Sequence, residues 1–301
     1  MEAEAPARKS RRWSGTRVRA WLVVVFLIVL PLPLSLALGW FGLNPVQAEL
    51  ATPVGDFAHD LLGSFPDNNL VVEIASAPGA APPGTSVAVL WARMNETLQK
   101  GTIQFVSETT SAPSMAYTTD QLFSIEQSSR HFWPKPGQMA LFYLCVHGTL
   151  AAQEGVLGLA FHGSSIAVFS DTIASASGGG NVAPITSTVL VHEFGHEIGL
   201  VGVVGSAPNE DPAHPGHSAD PNDVMYYATE TTAVLGGLLG GAAPPTQFDN
   251  ADLADLQTVR NTPIVLELLP LVVLAVCWIG AVVTIVTRRR SFAKKGRLNG
   301  K

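Results

Sequence analysis

Residues 184–199 read PITSTVLVHEFGHEIG, the most informative segment of this chain for its architecture. It predicts a helix that begins near Pro184, because proline is favoured at the first helical position, and that stops at Gly199, a common residue just past a helix end. The turn before the polar motif, residues 188–191, is mostly apolar. The helix is therefore expected to be largely buried, and polar side chains inside it need a specific reason.

Two histidines and a glutamate stand on this helix. His192 and His196 are four residues apart, so their imidazoles project from one face and can bind a single zinc ion. Glu193, next to the first histidine, can act as a general base toward water without binding the metal. The spacing predicts a catalytic site with one Zn²⁺. The alternative, an ordinary amphipathic helix with solvated histidines, conflicts with the apolar turn before the motif.

The motif resembles that of the metzincin family of zinc peptidases. The family pattern is His-Glu-x-x-His-x-x-Gly-x-x-His, followed by a turn that carries a methionine below the metal. This chain matches it at His192, Glu193, His196 and Gly199. The position of the third family histidine is Gly202, which offers no ligand.

A second stretch, HSADPNDVM at residues 217–225, resembles the segment from the third histidine to the methionine in the matrix metalloproteinase and archaemetzincin branches. This resemblance implies that His217 is the third zinc ligand and that Met225 is the methionine of the turn. About 15 additional residues would then form a surface loop, which is tolerable because the cost of closing a loop grows slowly with its length. His214 is the second candidate for the third ligand, and Asp211 is the third candidate.

Further expectations come from the same resemblance. Tyr227 lies two residues after the methionine, where some metzincins place a tyrosine near the zinc, so the resemblance implies a catalytic role in stabilising the oxyanion; a packing role is the alternative. Residues 158–169 resemble the edge strand that pairs with an extended peptide substrate. His147 and His162 lie in or near predicted strands, and we interpret them as structural.

Two apolar segments, residues 20–41 and 264–287, are each long enough to cross a bilayer as a helix. Basic residues dominate the tails, residues 1–19 and 288–301, which predicts that both termini are cytoplasmic. Residues 43–262 would then form an extracytoplasmic domain between two transmembrane helices in the cell membrane. A cleaved signal peptide is the alternative for the first segment.

Charge and cysteine content exclude some classes of function. Between residues 43 and 287 there are 22 acidic and five basic residues, so this part has a formal charge near −17 and is not expected to bind nucleic acid. The two cysteines, Cys145 and Cys277, lie in the outer part and in the second apolar segment, so they predict neither a disulfide framework nor a cysteine zinc site.

The hydrophobic pattern predicts a mixture of strands and helices before and after the metal helix. Predicted strands are Asn69–Ala75, Gly101–Ser107, Met139–Val146 and Gly158–Asp171; predicted helices include Ser86–Gln99 and Asp249–Val259, with loops at 108–137 (with a short helix), 175–181, 199–223 and 231–245. In the last helix Asp249 is the predicted cap, and Leu253 and Leu256 are placed on one face. The class is α+β or α/β, and with the resemblance we expect an α+β metzincin-like domain with a mixed sheet, metal helix, methionine turn and C-terminal helix.

The leading hypothesis is a membrane-anchored zinc metallopeptidase, an endopeptidase that hydrolyses peptide or protein substrates with Glu193 as the general base. The alternative from another class is a catalytically inactive, membrane-tethered binding module on the same fold. A third hypothesis takes a downstream glutamate, Glu210 or Glu230, as the third ligand. An intramembrane protease is not expected, because the motif lies in a loop-rich polar region away from both apolar segments.

Overall fold

The computed structural model describes residues 52–65, 67–205, 207–231 and 244–261, together with the helical positions Trp278 and Gly280. The chain divides into two units, residues 1–43 with 264–301, and residues 44–263; the fold below is that of the second unit. Both predicted membrane segments lie outside the described residues, apart from those two positions. No helix within the described ranges is long and apolar enough to cross a membrane. The membrane topology therefore stays a prediction.

A five-stranded sheet forms the centre of this unit. Its strands are β1 (Asn69–Ser76), β2 (Thr102–Thr109), β4 (Gln138–Val146), β6 (Gly158–His162) and β7 (Ser165–Phe169). They lie in the order β2-β1-β4-β7-β6. All neighbours are parallel except β6, which runs antiparallel to β7 along one edge. The fold is thus mixed α/β with a mostly parallel sheet, and the four predicted strand regions lie within it.

Two shorter pairs of strands complete the β structure. One joins β3 (Met115–Tyr117) to β5 (Gly148–Leu150) in parallel, and the other joins β8 (Glu210–Asp211) to β9 (His214–Ser218) antiparallel. Both pairs lie where loops are expected from the sequence, or just beyond a predicted strand. Strands of two to five residues carry too little alternating pattern to be recognised from sequence.

The helices are α1 (Ala58–Leu62), α2 (Gly84–Thr97), α3 (Thr119–Ser129), α4 (Ser170–Ala176), α5 (Ala183–Glu197) and α6 (Asn250–Asn261). The predicted metal helix is α5. Helix α4 was not expected, because it overlaps the end of one predicted strand and the start of a predicted loop.

The sheet is covered on both faces, which explains the continuous apolar runs of its central strands. One hydrophobic cluster joins β1, β4 and β7 to α2, α5 and α6, with Leu90, Leu190 and Leu256 among its members. The other cluster joins the opposite face to α3 through Leu122 and Phe142. The buried helix α5 is therefore held between the sheet and the helices on its own side.

Helix α6 begins as predicted but buries a different face. Asp249 Oδ1 accepts hydrogen bonds from the backbone N–H groups of Ala251 (2.7 Å) and Asp252 (2.8 Å), so it is the N-terminal cap. Leu256 is 1% exposed, but Leu253 is 42% exposed, so of the two leucines placed on one face only Leu256 is packed into the core. The inward face instead carries Asp252, Asp255, Leu256 and Val259. Two of these four buried residues are aspartates, so the spacing of apolar residues does not reveal the inward face of the helix.

Candidate metal centre

Helix α5 carries its polar motif into the protein interior. Every side chain from Ile185 to Glu197 is buried. The helix ends at Glu197, and two residues later Gly199, whose φ is +82°, reverses the chain; the Gly199 N–H donates to the carbonyl of His196. The residues that follow therefore turn back toward the metal helix instead of continuing away from it.

Three histidines come together at the C-terminal part of this helix. One ring nitrogen from each of His192, His196 and His217 lies within 4.8 Å of the other two, and the Nε2 atoms of His192 and His196 are 3.1 Å apart. Two imidazole nitrogens bound to one tetrahedral zinc at about 2.0–2.1 Å are separated by about 3.3 Å. The donor set and its spacing therefore fit a zinc ion. His217 enters from β9, which the sequence leaves as part of a loop.

The orientation of His192 is set by groups behind it. Its Nδ1 lies 2.7 Å from the carbonyl oxygen of Val224 and 2.8 Å from Thr229 Oγ1. A carbonyl can only accept, so the ring proton belongs on Nδ1, and the lone pair of Nε2 faces His196. A histidine whose second nitrogen donates to a carbonyl is the usual arrangement behind a metal ligand. No spacing in the sequence singles out Thr229 for this role.

Met225 lies beneath the helix between the two histidines. It is fully buried, and any side chain at Gly195 would clash with the Met225 sulfur. The carbonyl of Met225 accepts from the Ser218 N–H at 2.8 Å, which ties the methionine turn to the end of β9 next to His217. The glycine inside the motif is therefore required for the helix to lie directly on the methionine.

Glu193 is held by the edge strand of the sheet. Its Oε2 accepts a hydrogen bond from the backbone N–H of Ala160 in β6 at 2.7 Å. A methyl group at Gly158 would stand 2.6 Å from Glu193 Oε1 and 2.6 Å from Val189 Cγ1. A glycine that opens an apolar strand often marks such a close approach, so the sequence did contain a signal for Gly158. Strand β6 therefore fixes the position of the Glu193 carboxylate, and only glycine at position 158 leaves room for it.

The other two candidates for the third ligand bind each other. The imidazole of His214 pairs with Asp211 Oδ2 at 2.7 Å, and its ring stacks on that of Tyr227 with centroids 3.6 Å apart and planes 3° from parallel. The hydrogen bond from His214 is the main reason that the pKa of Asp211 lies below its usual value. Among the described residues, neither His214 nor Asp211 belongs to the group formed by the three histidines.

The chain at Gly202 shows why this position holds no histidine. Val201 and Gly202 both have positive φ, 53° and 81°, and a Cβ on Gly202 would stand 2.6 Å from the Glu210 carboxylate. Asp255 Oδ2 accepts from the Val201 N–H at 2.9 Å and fixes this turn to α6. Glu210 in turn accepts from the Gly216 N–H at 3.1 Å, within the β8–β9 hairpin, and is not in the histidine group. The expected surface loop is therefore a structured hairpin.

Comparison with known proteins finds similarity to solved structures but none to a family model or a curated protein. Among solved structures, the chain is similar to archaemetzincin from Methanopyrus kandleri, with a TM-score of 0.44 and 15% sequence identity, covering 64% of this chain and 96% of that chain. The fold and the site themselves define a mixed α/β domain in which a buried helix and a hairpin bring three histidines together beside a glutamate.

Proposed function

We propose that this protein is a zinc-dependent endopeptidase of metzincin type. The observation that carries the proposal is the convergence of three imidazole nitrogens within 4.8 Å beside the buried carboxylate of Glu193. His192, His196 and His217 would hold one Zn²⁺, and Glu193 would act as the general base. Gly199 and Met225 would support the site by ending the helix and by packing beneath it.

Each residue has a separate task in this mechanism. A zinc ion with three protein ligands supplies Lewis-acid chemistry, because it acidifies water and polarises a carbonyl group. Glu193 takes a proton from the attacking water and delivers it to the nitrogen of the departing amine. The hydrogen bond from the Ala160 N–H keeps one carboxylate oxygen of Glu193 in place during both transfers. Tyr227 is the candidate for stabilising the oxyanion, and its stack on His214 fixes the plane of its ring.

The substrate proposed for this site is an extended peptide that pairs with β6. This strand lies last in the order of the sheet, so its outer side faces no further strand among the described residues. Backbone pairing with an edge strand gives affinity that does not depend on the substrate sequence. Because Glu193 is attached to the same strand, a peptide bound there would lie beside the general base.

We place this site on the extracytoplasmic side of a membrane, between transmembrane helices at 20–41 and 264–287. The support for this arrangement is the excess of basic residues in both tails, next to the two apolar segments. The inactive binding module remains the alternative, and Gly202 is its motivation. The intact glutamate argues against it, because a binding protein has no chemical need for that base.

One assay tests the peptidase and its location together. A quenched fluorescent peptide is added to intact cells that express the full chain, and cells expressing Glu193→Gln supply the background. Cleavage above background is expected at the same rate in intact and permeabilised cells, and a chelator that does not cross membranes should stop it until zinc is restored. Cleavage only after permeabilisation would contradict the location. No cleavage in either preparation, with zinc bound, would instead favour the binding module.

Gly158→Ala is expected to lower kcat by about 100-fold while zinc stays bound, because the added methyl group displaces Glu193 and a misplacement of about 1 Å has an effect of this size. Steady-state kinetics and the zinc content of the purified protein measure both quantities. Gly84→Ala is the matched control, since a methyl group there meets no atom within 4 Å. An unchanged kcat in a folded Gly158→Ala protein would show that the strand does not position the base.

A further inference from the structure

Three carboxylates form a second group of potential ligands, separate from the histidines. Asp223 lies in the turn before Met225, whereas Asp249 and Asp252 stand at the start of α6. One carboxylate oxygen from each lies within 4.8 Å of the other two. Asp223 is 1% exposed and Asp252 is fully buried, so this is not a solvated acidic surface.

Each of these carboxylates uses one oxygen for a local hydrogen bond. Asp223 Oδ1 accepts from the Met225 N–H at 3.0 Å, and Asp252 Oδ1 accepts from Asn209 Nδ2 at 3.0 Å. The Oδ2 atoms of Asp223 and Asp252 are buried and accept no hydrogen bond from an N–H of the described residues, and the same is true of Asn209 Oδ1. The Ser218 hydroxyl and the Asp252 carboxyl lie within hydrogen-bonding reach of the Asp223 carboxyl. Three oxygen atoms with lone pairs are therefore buried without an N–H donor in the described part of the chain.

No described basic residue balances this negative charge. The ion pairs among the described residues involve none of the three aspartates. A buried carboxylate without a counter-charge is strongly disfavoured unless it binds a proton or a cation. Burial, and next the charge of Asp223, raise the pKa of Asp252 to about 8, so the pair holds a proton at neutral pH when no cation is present.

We propose that Asp223, Asp249 and Asp252 bind a divalent cation of the calcium type and thereby fasten the methionine turn to α6. Oxygen atoms bound to one Ca²⁺ at about 2.4 Å can be no more than about 4.8 Å apart, and the three carboxylates meet this limit. Asn209 donates its amide Nδ2–H to Asp252 and so holds that carboxylate in place beside the other two. A site made only of oxygen ligands prefers Ca²⁺, whereas the histidine group prefers zinc, so the two sites would take different ions.

The proposed cation site would stabilise the histidine group indirectly, because it holds the turn that carries Asp223, Val224 and Met225. Asp223 lies next to Val224, whose carbonyl orients His192, and it hydrogen-bonds to the backbone of Met225 beneath the helix. A cation between Asp223 and α6 would fix the positions of the Val224 carbonyl and of Met225. The inference does not depend on peptidase activity, because its readouts are ion binding and stability.

The test uses the purified full chain, loaded with zinc and dialysed free of calcium. Equilibrium dialysis with CaCl₂ is expected to give one bound Ca²⁺ per chain, and millimolar calcium should raise the thermal midpoint by about 5 °C. Asp252→Asn should bind no calcium and show no shift. This variant is expected to fold, because asparagine keeps the shape of the side chain and removes one buried charge. Asp220→Asn, an exposed aspartate in the same turn, is the control that keeps both responses.

Two results would overturn the proposal. One is a calcium response in Asp252→Asn equal to that of the wild type. The other is a wild type that ignores calcium and whose thermal midpoint falls as the pH rises from about 4 to about 8. A carboxyl with a raised pKa contributes stability below its unfolded value and loses it as the pH rises to the folded value, so this second result would show that the pair holds a proton only.

Discussion

Glu193→Gln is expected to reduce kcat for peptide hydrolysis by about 10²–10⁴-fold, the usual contribution of a general base, with zinc still bound. Glutamine has nearly the same shape and its carbonyl oxygen can still accept from the Ala160 N–H, so the helix and the three histidines should keep their positions. The amide cannot take up a proton from water, and that is the function removed. The measurements are kcat and KM on one peptide and the zinc content of the same preparation.

Glu210→Gln is the matched control for this experiment. Glu210 is the carboxylate that the competing ligand assignment would place on the metal, and in the structure it accepts from the Gly216 N–H, which glutamine can also do. We expect this variant to keep its zinc and most of its activity. Wild-type kcat in Glu193→Gln would rule out the proposed base, and loss of zinc from Glu210→Gln would favour the competing assignment.

His217→Ala is expected to weaken zinc binding by more than about 100-fold, because changes in the groups that merely orient a ligand already cost 10–100-fold. The other two nitrogens, from His192 and His196, stay in place on α5 but cannot by themselves complete the site. Competition with a fluorescent zinc chelator measures the affinity. The thermal midpoint in excess zinc should fall as well, since an ion bound only by the native state stabilises it.

His214→Ala distinguishes the two histidines of the hairpin. His214 is paired with Asp211 and stacked on Tyr227, so its removal should change the kinetics more than the zinc affinity. Equal loss of zinc from His214→Ala and His217→Ala would mean that the hairpin as a whole, and not the His217 ring, holds the metal. Full zinc retention in His217→Ala would make the third-ligand assignment wrong.

The sequence predicts those parts of the fold that depend on local pattern. The apolar runs at residues 69–75 and 139–146 are recognisable because both faces of these central strands are covered. Helix α5 is recognisable from Pro184 and Gly199 at its two ends. The β8–β9 hairpin is not recognisable from the sequence, because contacts between distant positions stabilise this region. One of them joins Asp255 to the turn at Val201, which precedes the hairpin.

The same distinction holds at the metal centre. Two of its histidines follow from helical spacing, and the third follows from a resemblance in the segment around Met225. The groups that orient these histidines and Glu193 cannot be predicted from spacing or from the resemblance. Ala160 is 33 residues from the glutamate that it holds, and Thr229 is 37 residues from the histidine that it contacts. Neither separation reflects the periodicity of a helix or a strand, so a sequence pattern cannot reveal these contacts.

The β8–β9 hairpin also bears on how the domain folds. Metal bound by His196 and His217 would act as a cross-link across the 20 residues between them, and closing a chain loop of this size costs about 3 kcal/mol of entropy. Here the contact of Glu210 with Gly216 and that of Asp255 with the Val201 turn hold parts of this segment by bonds that involve no metal ligand. Part of that ordering is thus supplied by the protein's own contacts. The inserted residues form a preorganised arm that delivers the third imidazole, so the added length need not weaken the affinity for the metal.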